Sequence, residues 1–328
     1  MDSVVITGGA GLQGSRLARR LLEMGRKVTV ADNFSRGSSL NLENIKDAIQ
    51  IRRVDLRKPE ECLEVFRDVD TVFHLAAHLG GVEYAHGSSS MSSHGVSMGT
   101  DNMLIDTNVI RACINNKVER LLYTSTACIY PVELQMTADA PPLREKQAYP
   151  ANAESPYGWA KLMGEIICQA CAKENGLKVA IVRLFNVYGE GEDMSPGSHV
   201  IPELMRKAIW YPDEDFVVYG DGSQTRAFTY VDDAVEGLIA AMERYATADP
   251  INIGGEETIS VRELAERIVL LSGKRIPLKF EISRPVGVRG RRADITKART
   301  ALGWFPRVSM DVGLKKTFDW ALRHSNRK

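Results

Sequence analysis

The sequence predicts an α/β protein: a doubly wound parallel sheet with a smaller, C-terminal substrate lobe. Three observations carry this. Short apolar runs of strand length alternate with stretches of helical periodicity through most of the first 185 residues. The first run leads directly into a glycine-rich turn, Gly8-Gly9-Ala10-Gly11-Leu12-Gln13-Gly14, and then into a helical pattern. Beyond residue 188 the alternation lapses, returns over 230–253, and lapses again. Residues 1–188 plus 229–256 are therefore expected to form the sheet domain, and 189–228 plus 257–328 the lobe.

With 328 residues the chain is long enough for a large core and a lobe. Lys plus Arg and Asp plus Glu both total 42, so the formal charge is zero. That argues against nucleic-acid or acidic-membrane partners, though not against a local basic pocket for phosphates. The five cysteines (62, 113, 128, 168, 171) lack disulfide-framework spacing, no charged leader precedes the first strand, and no run of 18 apolar residues occurs. The chain reads as reduced and cytoplasmic.

The elements follow in order. Ser3 to Thr7 is the first strand, and the helix after the turn runs to about Met24. Gly8, Gly11 and Gly14 permit a tight turn, let backbone amides approach a pyrophosphate, and let helix pack closely on strand. Lys27 to Ala31 is the next strand, ending in Asp32, eighteen residues beyond Gly14. An acid there accepts hydrogen bonds from a ribose and repels a 2′-phosphate, so the cofactor is expected to be NAD rather than NADP, a preference that Arg36 softens. The pattern continues with strand 50–54, helix 58–66 and strand 70–75. Asp55 either caps an adenine or simply leads into its helix. Ala76-Ala77 and Leu79-Gly80-Gly81 leave room at a strand end, and 80–100 is expected to be a loop over the site. Helix 98–115, strand 121–124, helix 157–173 and strand 178–183 complete the sheet domain's first part. A helix ending near Trp210, helix 231–243, strand 250–253, helix 260–271 and a final helix follow.

The chemistry is concentrated between Thr124 and Lys161. Tyr157 and Lys161, four apart, share a helix face, so the ammonium is expected beside the phenol, easing its deprotonation. Ser125 or Thr126 supplies a second hydroxyl. Cys168 and Cys171 read as one packed helix face, and His78, His86 and His94 lack ligand spacing, so no metal site is expected.

With these residues in view the chain resembles the extended short-chain dehydrogenase/reductase superfamily of nucleotide-sugar-modifying enzymes over essentially its full length. The matching pieces are Thr7-Gly8-Gly9-Ala10-Gly11, Asp32, His74-Leu75-Ala76-Ala77, Asn102 with Asn108, Tyr157/Lys161, Asn186, and Arg226 before Phe228-Thr229-Tyr230-Val231-Asp232-Asp233. Within it, Leu79-Gly80-Gly81 and Ala127-Cys128-Ile129-Tyr130-Pro131 are similar to the GDP-mannose 3,5-epimerase and GDP-fucose synthase subfamilies. The resemblance implies a Rossmann domain holding NAD through Gly8, Gly11, Leu12, Gln13, Asp32, Asn33, Ser35, Asp55, Leu56, Leu75, Ala76, Ala77, Tyr157 and Lys161. It implies Thr126, Tyr157 and Lys161 as catalytic residues, with Cys128 and His199 as an acid/base pair that inverts sugar carbons.

Ser198-His199-Val200-Ile201-Pro202 is the synthase-like feature, since plant-type epimerases carry a lysine near this place. Ala127-Cys128, the Gln135 region, Gln224-Thr225-Arg226 and Gly287-Val288-Arg289-Gly290-Arg291 are epimerase-like. Asp32 tips the expectation toward the redox-neutral, NAD-retaining epimerase over a GDP-4-keto-6-deoxyhexose 3,5-epimerase/4-reductase or a nucleoside-diphosphate-hexose 4-epimerase. Gly81, Asn186, Arg226 and Arg289 are the expected contacts to the nucleotide-diphosphate sugar, which the resemblance makes a GDP-hexose. Arg291 and Arg292 either join that pocket or are solvated. The family also implies a homodimer through helices 98–115 and 157–173, to which the stripes Ile105, Val109, Ile110 and Leu162, Ile166, Ile167 belong unless they are plain core.

Overall fold

The computed structural model describes residues 2–80 and 93–325; Gly81 and His86 lie outside them. The first half contains β1 (Ser3–Thr7), α1 (Leu12–Glu23), β2 (Lys27–Asp32), β3 (Gln50–Arg53), α2 (Pro59–Val65), β4 (Thr71–His74), α3 (Ser93–Asn115), β5 (Arg120–Thr126), α4 (Pro156–Asn175) and β6 (Lys178–Leu184). Then come β7 (Val187–Tyr188), α5 (Val200–Trp210), β8 (Val217–Tyr219), β9 (Thr225–Ala227), β10 (Thr229–Tyr230), α6 (Val231–Arg244) and β11 (Ile251–Ile253). The chain closes with β12 (Thr258–Ser260), α7 (Val261–Ser272), β13 (Lys279–Glu281), β14 (Gly290–Arg291), α8 (Thr296–Leu302) and α9 (Met310–His324). The loop expected over 80–100 is corrected at its end, because α3 already starts at Ser93.

Seven parallel strands form one sheet in the order β11-β6-β5-β4-β1-β2-β3. The strands run outward from β1 to β3 and then cross back to β4, so the switch point lies between β1 and β4. In such sheets a crevice opens there at the carboxyl ends of the strands.

Both faces of the sheet are apolar. Val4, Ile6, Val28, Val30, Leu122 and Val182 point to one side, where Leu17 and Leu21 of α1 and Leu238 of α6 cover them. Val5, Val72, Leu121, Val179 and Ile181 point to the other, against Val109, Ile110 and Cys113 of α3 and Cys168 of α4. Strands covered twice must be apolar at odd and even positions alike, which is why the sheet runs are continuous rather than alternating. The cysteine pair of α4 belongs to this packing: Cys168 and Cys171 are buried and unpaired.

The rest of the chain builds three small sheets, β12-β9-β14, β13-β8 and β10-β7, whose strands are two or three residues long. Residues of α5, α7 and α9, including Leu204, Leu264 and Phe318, join the same apolar cluster as the first face of the large sheet.

Candidate functional site

The turn after β1 is held from behind. Gly8 adopts φ +67°, and a Cβ added there would sit 2.8 Å from the Ala76 nitrogen. Gly11 N–H donates to the Gly8 carbonyl, and Gly11 stands at the N-cap of α1, where no side chain caps the first amides. A Cβ on Gly14 would lie 2.3 Å from the Gly8 oxygen. The turn has no room for a side chain at Gly8 or Gly14, the close backbone approach that a pyrophosphate-binding turn requires. Asp32 closes it: one carboxylate oxygen accepts from Ala10 N–H at 2.9 Å and the other from Phe34 N–H at 2.8 Å. Lone pairs remain for a ribose. Asn33 accepts from Ser35 N–H and shapes the next turn. Gly14→Ala is expected to lose bound dinucleotide and about 1–3 kcal/mol of stability through overpacking. Cofactor content per chain and denaturant unfolding would measure both.

Asp55 is gripped by Arg57, at 2.7 and 3.0 Å, and that partner, against opposing burial, holds its carboxyl below the usual range. The Leu56 carbonyl accepts from Asn108. Asn102, buried, bonds the backbone of His78 through both its oxygen and its nitrogen.

A cavity of about 340 Å³ opens at the carboxyl ends of β1, β4, β5 and β6, reached by Gln13, Leu75, Ala77, Thr126, Cys128, Tyr157, Asn186, His199, Arg226 and Arg291. Thr126 ends β5, and its hydroxyl accepts from Cys128 N–H at 3.2 Å. Ser155 caps α4 and Pro156 opens it, which fixes Tyr157 in the first turn. Gly158 lets that turn press on the preceding segment, since a Cβ there would lie 2.4 Å from the Cys128 oxygen. Burial lifts the Tyr157 phenol far above its ordinary value, the nearby Cys128 adding to this, with a Thr126 hydrogen bond opposing.

The expectation for Lys161 needs correcting. Its ammonium lies on Asp106, at 3.2 and 3.3 Å, and 4.2 Å from the centre of the Tyr123 ring. The lysine is 1 % exposed. Asp106 also meets the Tyr123 hydroxyl at 2.5 Å and His74 Nε2 at 3.0 Å. His74 Nδ1 in turn faces the Thr7 hydroxyl at 2.7 Å. Thr7 Oγ1 accepts from the Leu75 and Ala76 amides, so its own hydrogen goes to Nδ1 and the neutral imidazole presents Nε2–H to Asp106. Burial keeps His74 below its ordinary value; burial also opposes the Asp106 charge, but Lys161 together with the His74 and Tyr123 hydrogen bonds holds that carboxyl below its usual range. The attraction that would lower the phenol is spent on a carboxylate.

Cys128 meets Arg291, whose Nη1 lies 3.4 Å from the sulfur. Burial raises the thiol, Arg291 pulls it down, Glu154 pushes it up, and the net direction is upward. Arg291 is nearly buried, and bonds Gln135 Oε1 at 2.7 Å and Glu154 Oε2 at 2.5 Å. Arg289 points the other way: its guanidinium is 40 % exposed and rests on Ser223 at 2.9 Å and Asp221 at 3.5 Å. Arg291, and not Arg289, lines the cavity. Arg226 donates to the carbonyls of Thr225 and Val288, both at 2.8 Å, and burial, with Arg291 nearby, lowers it to about 10.

His199 caps α5, and its Nδ1 meets Glu192 Oε1 at 2.7 Å. Its side chain is 52 % exposed, and against partial desolvation the Glu192 carboxylate holds the imidazole above its ordinary value. Asn186 has φ +43° and bonds the Ala227 carbonyl at 2.9 Å.

Sequence reasoning left out Glu154 and Glu192, which line the cavity, and Asp106 behind it; Ser198 and Gln224, also in the lining, enter the sequence reading only as neighbours within the motifs of His199 and Arg226. No group of three metal-ligating side chains occurs among the described residues, and no helix there is long and apolar enough to cross a membrane.

Residues 4–254 match the profile of the NAD dependent epimerase/dehydratase family. The chain is 34% identical to GDP-mannose 3,5-epimerase of Arabidopsis thaliana over 317 residues, 97% of this chain and 81% of that protein. It is 35% identical to UDP-N-acetyl-alpha-D-glucosaminuronate decarboxylase of Bacillus cytotoxicus over 326 residues, 96% of each. Among solved structures, UDP-glucuronic acid 4-epimerase from Bacillus cereus, in complex with UDP-glucuronic acid and NAD, superposes with a TM-score of 0.84 at 29% identity, covering 98% of this chain and 99% of that one.

Proposed function

The chain belongs to the NAD-dependent epimerase/dehydratase family and is an NAD-dependent enzyme acting on nucleotide sugars, and from that premise we propose that it is a redox-neutral epimerase of the GDP-mannose 3,5-epimerase type. The observation that carries this reading is the convergence of Thr126, Cys128, Tyr157 and His199 on one cavity. A 4-epimerase has no use for a thiol and an imidazole beside its hydroxyl pair.

Gly8, Gly11, Gly14 and Asp32 would hold bound NAD, which would supply reversible hydride removal at C4 of the sugar. The ketone so formed acidifies the hydrogens on C3 and C5. Thr126 and Tyr157 exchange the proton of the C4 hydroxyl. Cys128 is the base: its resting form is the thiol, and the Arg291 guanidinium at 3.4 Å stabilises the thiolate. His199, whose charged form the Glu192 carboxylate favours, is the acid that returns a proton. Arg226 and Asn186 face the diphosphate. Residues 189–228 and 257–328 form the sugar-nucleotide lobe in this reading.

The NAD-loaded protein is expected to place solvent deuterium at C3 and C5 of GDP-mannose without accumulating NADH. Inversion at C4 without deuterium uptake would identify a 4-epimerase instead, and release of carbon dioxide from a UDP-uronate a decarboxylase. The second reading, a GDP-4-keto-6-deoxyhexose epimerase/reductase, is favoured by Ser198-His199-Val200-Ile201-Pro202 and requires stoichiometric consumption of reduced cofactor.

We also propose a homodimer. Val109, Ile110 and Leu162 of the expected stripes are internal, whereas Met103 and Leu104 of α3 and Trp159, Met163 and Ile166 of α4 are each 43 to 50% exposed. This apolar face on two packed helices is what a second copy would cover. Trp159→Glu combined with Ile166→Glu is expected to sediment as a monomer.

A further inference from the structure

The cavity wall is balanced in charge in a way that bears on the sugar it takes. Three of its cationic side chains, among the described residues, each face a carboxylate: Arg291 on Glu154, Lys207 on Glu203 at 3.1 Å, and His199 on Glu192. Arg226 is different, since its hydrogen bonds go to backbone carbonyls. A diphosphate entering the cavity would use Arg226, leaving no unmatched cation in the described wall for a further negative charge.

Three buried polar atoms of the same wall have no hydrogen-bond partner: Glu192 Oε2, Gln224 Oε1 and Ser198 Oγ. Their residues are 9, 5 and 8 % exposed. Two of the three atoms are oxygens that can only accept, and a buried acceptor left unmatched is unfavourable. They therefore call for donors from the ligand. A sugar hydroxyl donates; a sugar carboxylate offers more acceptors and a charge that meets Glu192.

We propose that this cavity takes nucleotide-diphosphate sugars whose glycosyl part is neutral and rich in hydroxyls, that it excludes hexuronates, and that Glu192 enforces the exclusion. The inference rests on the nucleotide-sugar reading of the site but not on which carbons invert. It separates the chain from relatives whose names carry a uronate, with which it shares comparable identity.

The test is calorimetric titration of the NAD-loaded protein with matched pairs, UDP-glucose against UDP-glucuronate and GDP-mannose against GDP-mannuronate, alongside UDP and GDP alone. In whichever nucleotide series binds, the neutral sugar is expected to bind at least about tenfold more tightly, since like-charge juxtaposition is strongly unfavourable. Glu192→Gln, which keeps the shape and removes the charge, is expected to tighten uronate binding about tenfold and so narrow the gap. A uronate that binds the wild type as tightly as its neutral partner overturns the inference. A gap unchanged in a folded Glu192→Gln protein overturns the role given to Glu192. If the free nucleotides bind and neither sugar pair discriminates, this inference alone fails; if no nucleotide binds, the reading of the cavity fails with it.

Discussion

Cys128→Ala is expected to leave a folded, NAD-loaded protein that no longer exchanges solvent deuterium into the sugar. The loss should be about a hundred- to ten-thousand-fold, the usual contribution of a positioned acid or base. Hydride removal at C4 depends on Thr126 and Tyr157 and should persist, so a transient reduced-cofactor absorbance is expected in rapid mixing with substrate while exchange at C3 and C5 disappears. The substitution deletes one atom, from a partly buried side chain whose sulfur contact is Arg291 Nη1. Arg291 keeps Gln135 and Glu154, so its burial remains compensated. Full exchange in Cys128→Ala would remove the thiol from the mechanism and return the site to C4 chemistry alone.

Arg183→Met is expected to destabilise the fold by about 3–5 kcal/mol, the cost of leaving a buried carboxylate without its cation. Arg183 and Glu165 have side chains 2 % exposed and meet through two bonds, at 2.9 and 2.7 Å. The guanidinium also reaches the Glu145 carbonyl at 2.7 Å and the Tyr130 hydroxyl at 3.1 Å. Tyr130 continues to Asn252 at 2.7 Å, and Glu165 accepts from Ser125. The pair thus clamps β5, β6, β11 and α4 just below Thr126 and Cys128. Replacing both members, Arg183→Met with Glu165→Leu, should recover much of the loss, because apolar groups of similar volume do not strand a charge. Urea midpoints of the two single variants and the double variant would give the coupling directly.

The parts of this molecule that could be read from the sequence are those fixed by local order. The glycine turn, Asp32 and the strand–helix alternation are written in consecutive residues, and each depends on neighbours within one βαβ unit. Ser155-Pro156 marks the start of α4, and that alone places Tyr157 in its first turn. What could not be read depends on partners far along the chain. The i, i+4 spacing puts Lys161 on the same helix face as Tyr157, but Asp106, 55 positions away, takes its ammonium. Among Arg289, Arg291 and Arg292, alternation cannot say which enters the cavity. That choice is made when β14 lies alongside β9 and pairs Arg291 with Arg226. Strands of two or three residues are too short to carry a period at all. The choice between interface and core for the stripes of α3 and α4 is open in sequence for a related reason: the two helices pack on the sheet and on each other, so their apolar positions divide between an inner and an outer face.

The line from Thr7 through His74 and Asp106 to Lys161 means that the floor of the cofactor turn and the catalytic helix rest on one foundation. Each member is buried and spoken for by the next, so replacing any of them alone strips its neighbour of a partner in a place water does not reach. The four positions are interchangeable only as a block. For anyone redesigning the glycine turn, residue 106 on a distant helix is part of the design.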